Sequence, residues 1–106
     1  VREFLANHPD ASGIYSVGSG YVGVIKSIDE LGKNGSISVI AHNLCDGKRK
    51  LLMSGKISGV IHYNPETAAQ LVISALKSQT NKRKPSNLSV AIEIILKENI
   101  PRFDFK

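Results

Sequence analysis

Residues 36 to 43 read Ser36-Ile37-Ser38-Val39-Ile40-Ala41-His42-Asn43, and the way this stretch begins and ends decides the fold. Ile37, Val39 and Ile40 are β-branched, which restricts their rotamers in a helix and suits them to a pleated surface. The apolar run Ile37 to Ala41 then stops at His42-Asn43 and gives way to a helical pattern. Two other runs behave in the same way: Ile14 to Val17 ends in Gly18-Ser19-Gly20-Tyr21, and Ile57 to Ile61 ends in His62-Tyr63-Asn64. Strands separated by helices of about ten to fifteen residues imply right-handed βαβ crossovers and a mostly parallel sheet with helices packed on it, an α/β fold built in three layers. The carboxyl ends of parallel strands point the same way, so the three polar endings converge on one edge, where open sheets bind ligands.

Working outward, Val22, Ile25, Ile28, Asp29 and Leu31 fall on helical spacing, and Gly32 supplies a carboxyl-terminal stop. Asp46 can cap a helix carrying Leu51, Leu52 and Met53, which Gly55 ends. Asn64-Pro65-Glu66-Thr67 is a strong helix start, with an amide cap, a proline in the first turn and an early carboxylate. That helix carries Ala68, Leu71, Val72, Ala75 and Leu76 and is expected to end near Lys77 or Ser78, because Gln79 to Asn87 is polar and contains Pro85. Leu88, Val90, Ile92, Ile94 and Leu96 alternate with more polar residues, the period of an edge strand or of a strand in a half-covered sheet. At the amino terminus, Arg2 to Asn7 reads as the last turn of a helix, broken by His8-Pro9-Asp10.

A chain of 106 residues that is 42% hydrophobic can bury one core, so residues 1–106 are expected to form a single domain. No apolar run approaches the roughly 20 residues that span a bilayer, and Val1-Arg2-Glu3-Phe4-Leu5 lacks the apolar core of a signal peptide. The expectation is a soluble chain with no membrane partner. The first residue is Val1 rather than methionine, so a fragment or processed product is expected. A single cysteine, Cys45, rules out an internal disulfide framework and any CxxC metal pattern, and it fits a reducing compartment. The net charge of +5 comes largely from Lys48-Arg49-Lys50 and Lys82-Arg83-Lys84. With neither an RNA-binding aromatic motif nor zinc-finger spacing beside them, these clusters read as a solvated helix turn and a solvated loop.

Catalytic chemistry finds little support. His42 is the nearest base to the Cys45 thiol, but only Asp46 could orient it, and an inert, partly buried cysteine is the better reading. His42 and His62 could meet at the sheet edge around a metal, yet no third ligand stands at a recognisable spacing. Gly18-Ser19-Gly20-Tyr21-Val22-Gly23 satisfies G-x-G-x-x-G between a strand and a helix, so a nucleotide-using enzyme stays open as an alternative. Asn43 stands where ribose recognition expects an acid, and a tight structural turn explains the glycines equally well. The chain is therefore read as a non-enzyme without cofactor.

Taken in order, several blocks resemble the carboxyl-terminal lobe of the periplasmic-binding-protein-like (type I) sensor domain of LacI-type transcription regulators and sugar-binding transport proteins. They are His8-Pro9-Asp10 before the strand Gly13 to Val17, the turn Val17 to Gly23, Gly32-Lys33, Val39 to Leu44, Leu51 to Ile57, and Val60 to Glu66. The two-glycine turn and the tail Glu98-Asn99-Ile100-Pro101 are more typical of the LacI-type regulators. The resemblance implies an effector sensor, usually for a sugar, with ligand held between two lobes and closure passed to an amino-terminal helix-turn-helix. This chain would supply about the last third, with residues 1–64 as lobe core and 65–106 as crossover helix, basic loop and final strand. A cytoplasmic homodimer that touches DNA only through the upstream helix-turn-helix follows; a periplasmic component of a sugar transporter is the alternative.

Carried over by position, Asn43 matches an acidic residue that hydrogen-bonds sugar hydroxyls, and Tyr63 matches a glutamine that does the same. Both depart from the common type, Asn by dropping the charge and Tyr by offering a ring face and one hydroxyl. The implied effector-binding residues are Gly20, Tyr21, His42, Asn43, His62 and Tyr63. The helix from Pro65 would pack on a lobe outside this chain, so its apolar face is expected either to fold back onto this lobe or to be buried by a second copy.

Overall fold

The structure, a computed structural model, describes residues 1–80 and 89–102. Its elements in order are α1 (Arg2–Asn7), β1 (Gly13–Ser16), α2 (Tyr21–Glu30), β2 (Ser38–His42), α3 (Asp46–Met53), β3 (Gly59–His62), α4 (Pro65–Thr80) and β4 (Glu93–Ile95), followed by a 3-10 turn at Lys97–Asn99. They form a four-stranded sheet of order β1-β2-β3-β4, in which β1, β2 and β3 are parallel and β4 runs antiparallel to β3. The α/β class, the mostly parallel sheet and the edge position of the last strand are as the sequence implies.

Strand register sorts the side chains into two faces. Ile14 pairs with Val39, Ala41 with Val60, and Val60 with Ile95, and these residues turn toward the helices. There they meet Leu5 from α1, Val24, Ile25 and Ile28 from α2, and Leu52 from α3. Leu5, Leu52, Ile57, Ile95, Val39 and Val60 are fully buried, each side chain stabilising the fold by about 1.5–3 kcal/mol of transfer free energy. The opposite face carries Tyr15, Ile40, Ile61 and Ile94, of which Tyr15 and Ile94 are exposed. Two successive crossovers of the usual right hand between strands laid down in one direction put α2 and α3 on the same side, so only one face is dry and the described residues build two layers, not the three expected.

Local signals act where they were expected. Gly32 adopts φ 65°, with Lys33 N–H donating to the Ile28 carbonyl (3.0 Å) and Gly32 N–H to that of Asp29 (3.1 Å). Gly55 does the same after α3 at φ 80°, with Lys56 N–H donating to the Leu51 carbonyl (2.9 Å). Both are left-handed helix ends that glycine adopts without steric cost. Asn64 caps α4, its Oδ1 accepting from the amides of Glu66 (2.9 Å) and Thr67 (3.4 Å). In the tail, Asn99 Nδ2 donates to the Ile94 carbonyl (2.9 Å) and so fastens the end of β4.

Four further expectations are corrected. Asp46 is the first residue of α3 rather than its cap; Cys45 holds the cap position and makes no side-chain cap bond. On α2 the buried positions are Val24, Ile25 and Ile28, while Val22 is exposed, because the helix begins at Tyr21 and its first turn faces the sheet edge. The strand read between Leu88 and Leu96 shortens to Glu93–Ile95, with Leu88 outside the described residues together with Lys82-Arg83-Lys84. Finally, α4 runs on to Thr80 instead of ending near Lys77 or Ser78; it buries no residue and leaves Val72, Ile73 and Leu76 exposed, so of the two covers expected for its apolar face this lobe does not supply one. The antiparallel direction of β4 explains this. A helix joining parallel strands must return across the sheet face, whereas the segment joining β3 to β4 is under no such constraint.

Candidate functional site

The carboxyl ends of β1, β2 and β3 do lie side by side, and β2 forms the middle of that edge. His42 is its last residue and pairs with Ile61, so His62 projects one residue further and falls on the opposite face. That single step separates the two histidines. His42 turns to the open face, where its Nδ1 is 3.0 Å from the Tyr15 hydroxyl and its ring stands edge-on to the tyrosine at 6.4 Å. His62 turns inward to 8% exposure, and its Nδ1 accepts the Leu44 amide proton at 3.1 Å. An acceptor Nδ1 makes this imidazole neutral with its proton on Nε2. Burial holds the His62 pKa below the ordinary imidazole value, an effect opposed by the carboxylate of Glu93 beside it. The histidines therefore do not share a metal, and among the described residues no group of three or more His, Cys, Asp or Glu could hold one.

Between them Asn43 leaves the strand with φ 62°, the only positive value at a non-glycine position among the described residues. Asparagine tolerates this left-handed backbone better than most residues, for which it costs roughly 1–2 kcal/mol. The turn is fastened from two elements. Asn43 N–H donates to the Ile61 carbonyl (2.8 Å), and the Lys48 ammonium donates to the carbonyls of His42 and of Asn43 (2.9 Å for the latter). Lys48 is 6% exposed, which corrects its reading as part of a solvated basic turn. The Asn43 side chain is left exposed at the edge, and exposed Tyr63 follows β3 on the same edge.

Tyr21 sits behind this edge. Its hydroxyl is 3.7 Å from Cys45 Sγ, the Lys48 ammonium lies 4.8 Å from its ring centroid, and a side chain at Gly47 would meet the hydroxyl at 2.7 Å. The thiol contact, with burial, raises the Tyr21 pKa, and no Cys45–His42 pair forms. Gly20 is exposed and caps α2 at φ −74°. Among the described residues, no atom beyond the adjoining chain lies within 4 Å of a Cβ built on Gly18, Gly20 or Gly23, so these positions do not show the close helix–strand packing that fixes the third glycine of a dinucleotide loop.

Of the residues expected at the site, His42, Asn43, Tyr63 and the Gly20 turn line the edge, whereas Tyr21 and His62 support it from behind. Sequence reasoning missed Tyr15 and Lys48. Tyr15 could have been found as the next-to-last residue of β1, on the same face as His42; Lys48 carried no signal separable from its basic neighbours.

The edge belongs to an architecture found in solved structures. A glucose-galactose binding protein from Geobacillus stearothermophilus superposes with a TM-score of 0.84 at 17% identity, over 93% of this chain and 36% of that one. An ABC transporter solute binding protein from Agrobacterium vitis, bound with α-D-tagatopyranose, gives 0.82 at 21% identity, over 99% and 38%. A protein described as a LacI transcriptional regulator from Bacteroides fragilis gives 0.71 at 23% identity, over 92% and 34%. The fold is the type I periplasmic-binding-protein-like fold. The chain spans about a third of the length of those structures. No family model matches the sequence, and no curated protein does.

Proposed function

We propose that this chain forms one wall of a carbohydrate-binding cleft whose other wall is a second lobe. The observation that carries this is the carboxyl edge itself, where exposed Asn43 follows β2 next to the Tyr15–His42 pair and exposed Tyr63 follows the neighbouring β3. An amide offers both donor and acceptor to sugar hydroxyls, and aromatic faces cover the apolar C–H surface of a sugar ring. The edge is suited to a neutral ligand, because the Lys48 ammonium behind it is turned inward onto backbone carbonyls. The likeness to proteins described as binding glucose and galactose or bound with D-allose supports the same class. The chain acts by binding, not by catalysis.

Two settings are supported to the same degree. The order of the sequence blocks favours the effector domain of a LacI-type regulator, cytoplasmic and dimeric, with DNA contacted through an upstream helix-turn-helix; the exposed α4 stripe would then find cover in the assembled protein. The several transport proteins among the structural neighbours favour a solute-binding component instead. Upstream sequence distinguishes them: a helix-turn-helix selects the regulator and an export signal the transporter. For the cleft, calorimetric titration of the full-length protein with D-glucose, D-galactose, D-allose and D-arabinose is expected to give saturable binding that Asn43→Ala or Tyr63→Ala weakens. Unchanged affinity in both variants removes the edge from the site.

A further inference from the structure

Lys48 is a buried charge with a task that nothing in the core requires. At 6% exposure its ammonium has lost most of its water, a loss tolerated only where its N–H donors are satisfied. Those donors go to the carbonyls of His42 and Asn43, the two residues by which β2 leaves the sheet at the candidate cleft, and the charge also lies against the Tyr21 ring. Asn43 is meanwhile held at φ 62°, a conformation that restraint from its surroundings must maintain.

We propose that Lys48 is a positioning residue for the cleft: its two charge-assisted hydrogen bonds hold the His42–Asn43 turn in its left-handed form and thereby set the direction of the Asn43 amide. The consequence for sugar binding rests on the carbohydrate reading above; the restraint on the turn does not. Removing the ammonium leaves the Asn43 carbonyl without its partner and frees the residue to relax toward an ordinary backbone conformation, which carries the amide away from its aim. The neighbouring bonds, Asn43 N–H to Ile61 and Leu44 N–H to His62, loosen with it.

The test is Lys48→Met in the full-length protein, since methionine keeps most of the apolar stem, with Lys48→Gln as the second variant should the first fail to fold. Amide hydrogen exchange by NMR is expected to quicken about tenfold or more at Asn43 and Leu44 while Val60 in the core keeps its protection. Affinity for whichever of the four monosaccharides the wild type binds is expected to fall about tenfold at a temperature where both proteins are folded. Unchanged exchange at Asn43 and Leu44, or a loosened turn with unchanged sugar affinity, overturns the proposal. If the wild type binds none of the sugars, the carbohydrate reading fails by itself, and exchange at the turn still decides whether Lys48 holds it.

Discussion

The Tyr15 hydroxyl and His42 Nδ1, 27 residues apart in the chain, stand 3.0 Å from each other across the β1–β2 pair. Parallel pairing of Tyr15 with Ile40 places His42 two residues on, on the same open face, so the contact follows from register. Because the pair is solvent-exposed, Tyr15→Phe is expected to change stability by less than about 1 kcal/mol. Released from the tyrosine, His42 becomes free to rotate, and under the proposed carbohydrate reading affinity for the sugar should fall about fivefold, the worth of roughly one hydrogen bond. Parallel thermal melts and calorimetric titrations separate the two effects; a large loss of stability would mean that the pair is a structural clamp.

Asn43 separates backbone from side chain in one comparison. Asn43→Gly removes the amide but relieves the positive φ, whereas Asn43→Ala removes the amide and keeps the strain. Alanine is expected to be less stable than glycine here by about 1 kcal/mol, the usual order reversed. Under the proposed carbohydrate reading both variants should bind the sugar equally poorly. Denaturant titration ranks the stabilities, and equal stabilities would show that the turn is not held left-handed in solution.

His62 gives the fold a pH dependence of known sign. Its pKa lies below the ordinary 6.5 in the folded chain because burial disfavours the imidazolium. Between the folded value and 6.5 the unfolded chain therefore binds more protons, so this contribution is fully present above pH 6.5 and is lost as the pH falls through that value toward the lower, folded one. His62→Asn should flatten the slope and lower stability at neutral pH by about 1–3 kcal/mol if the Leu44 amide goes unpaired. Urea melts at a series of pH values read both; an unchanged slope would exclude His62 as its source.

Gly47 and Tyr21 should be coupled. A Cβ at Gly47 meets the tyrosine hydroxyl at 2.7 Å but the ring carbon behind it only at 3.8 Å. Gly47→Ala should therefore show its helix-propensity gain of about 0.5–1 kcal/mol when Tyr21 is phenylalanine, and lose or reverse that gain in the wild type. A double-mutant cycle on thermal stability measures the difference, and strict additivity would place the hydroxyl elsewhere.

What the sequence determined by itself is local. The ends of α2 and α3 at Gly32 and Gly55, the Asn64 cap of α4, the break at His8-Pro9 and the convergence of the three strand endings all follow from interactions within a few residues and from the handedness of crossovers. The tertiary structure alone decided the details of the edge, because each depends on register between strands or on packing between distant segments. A single residue of stagger sends His42 to the open face and His62 into the core. The same nonlocal geometry turns Lys48, in sequence one cation among three neighbours, into the buried support of Asn43. It also leaves α4 uncovered, since β4 enters the sheet antiparallel and asks no return across its face.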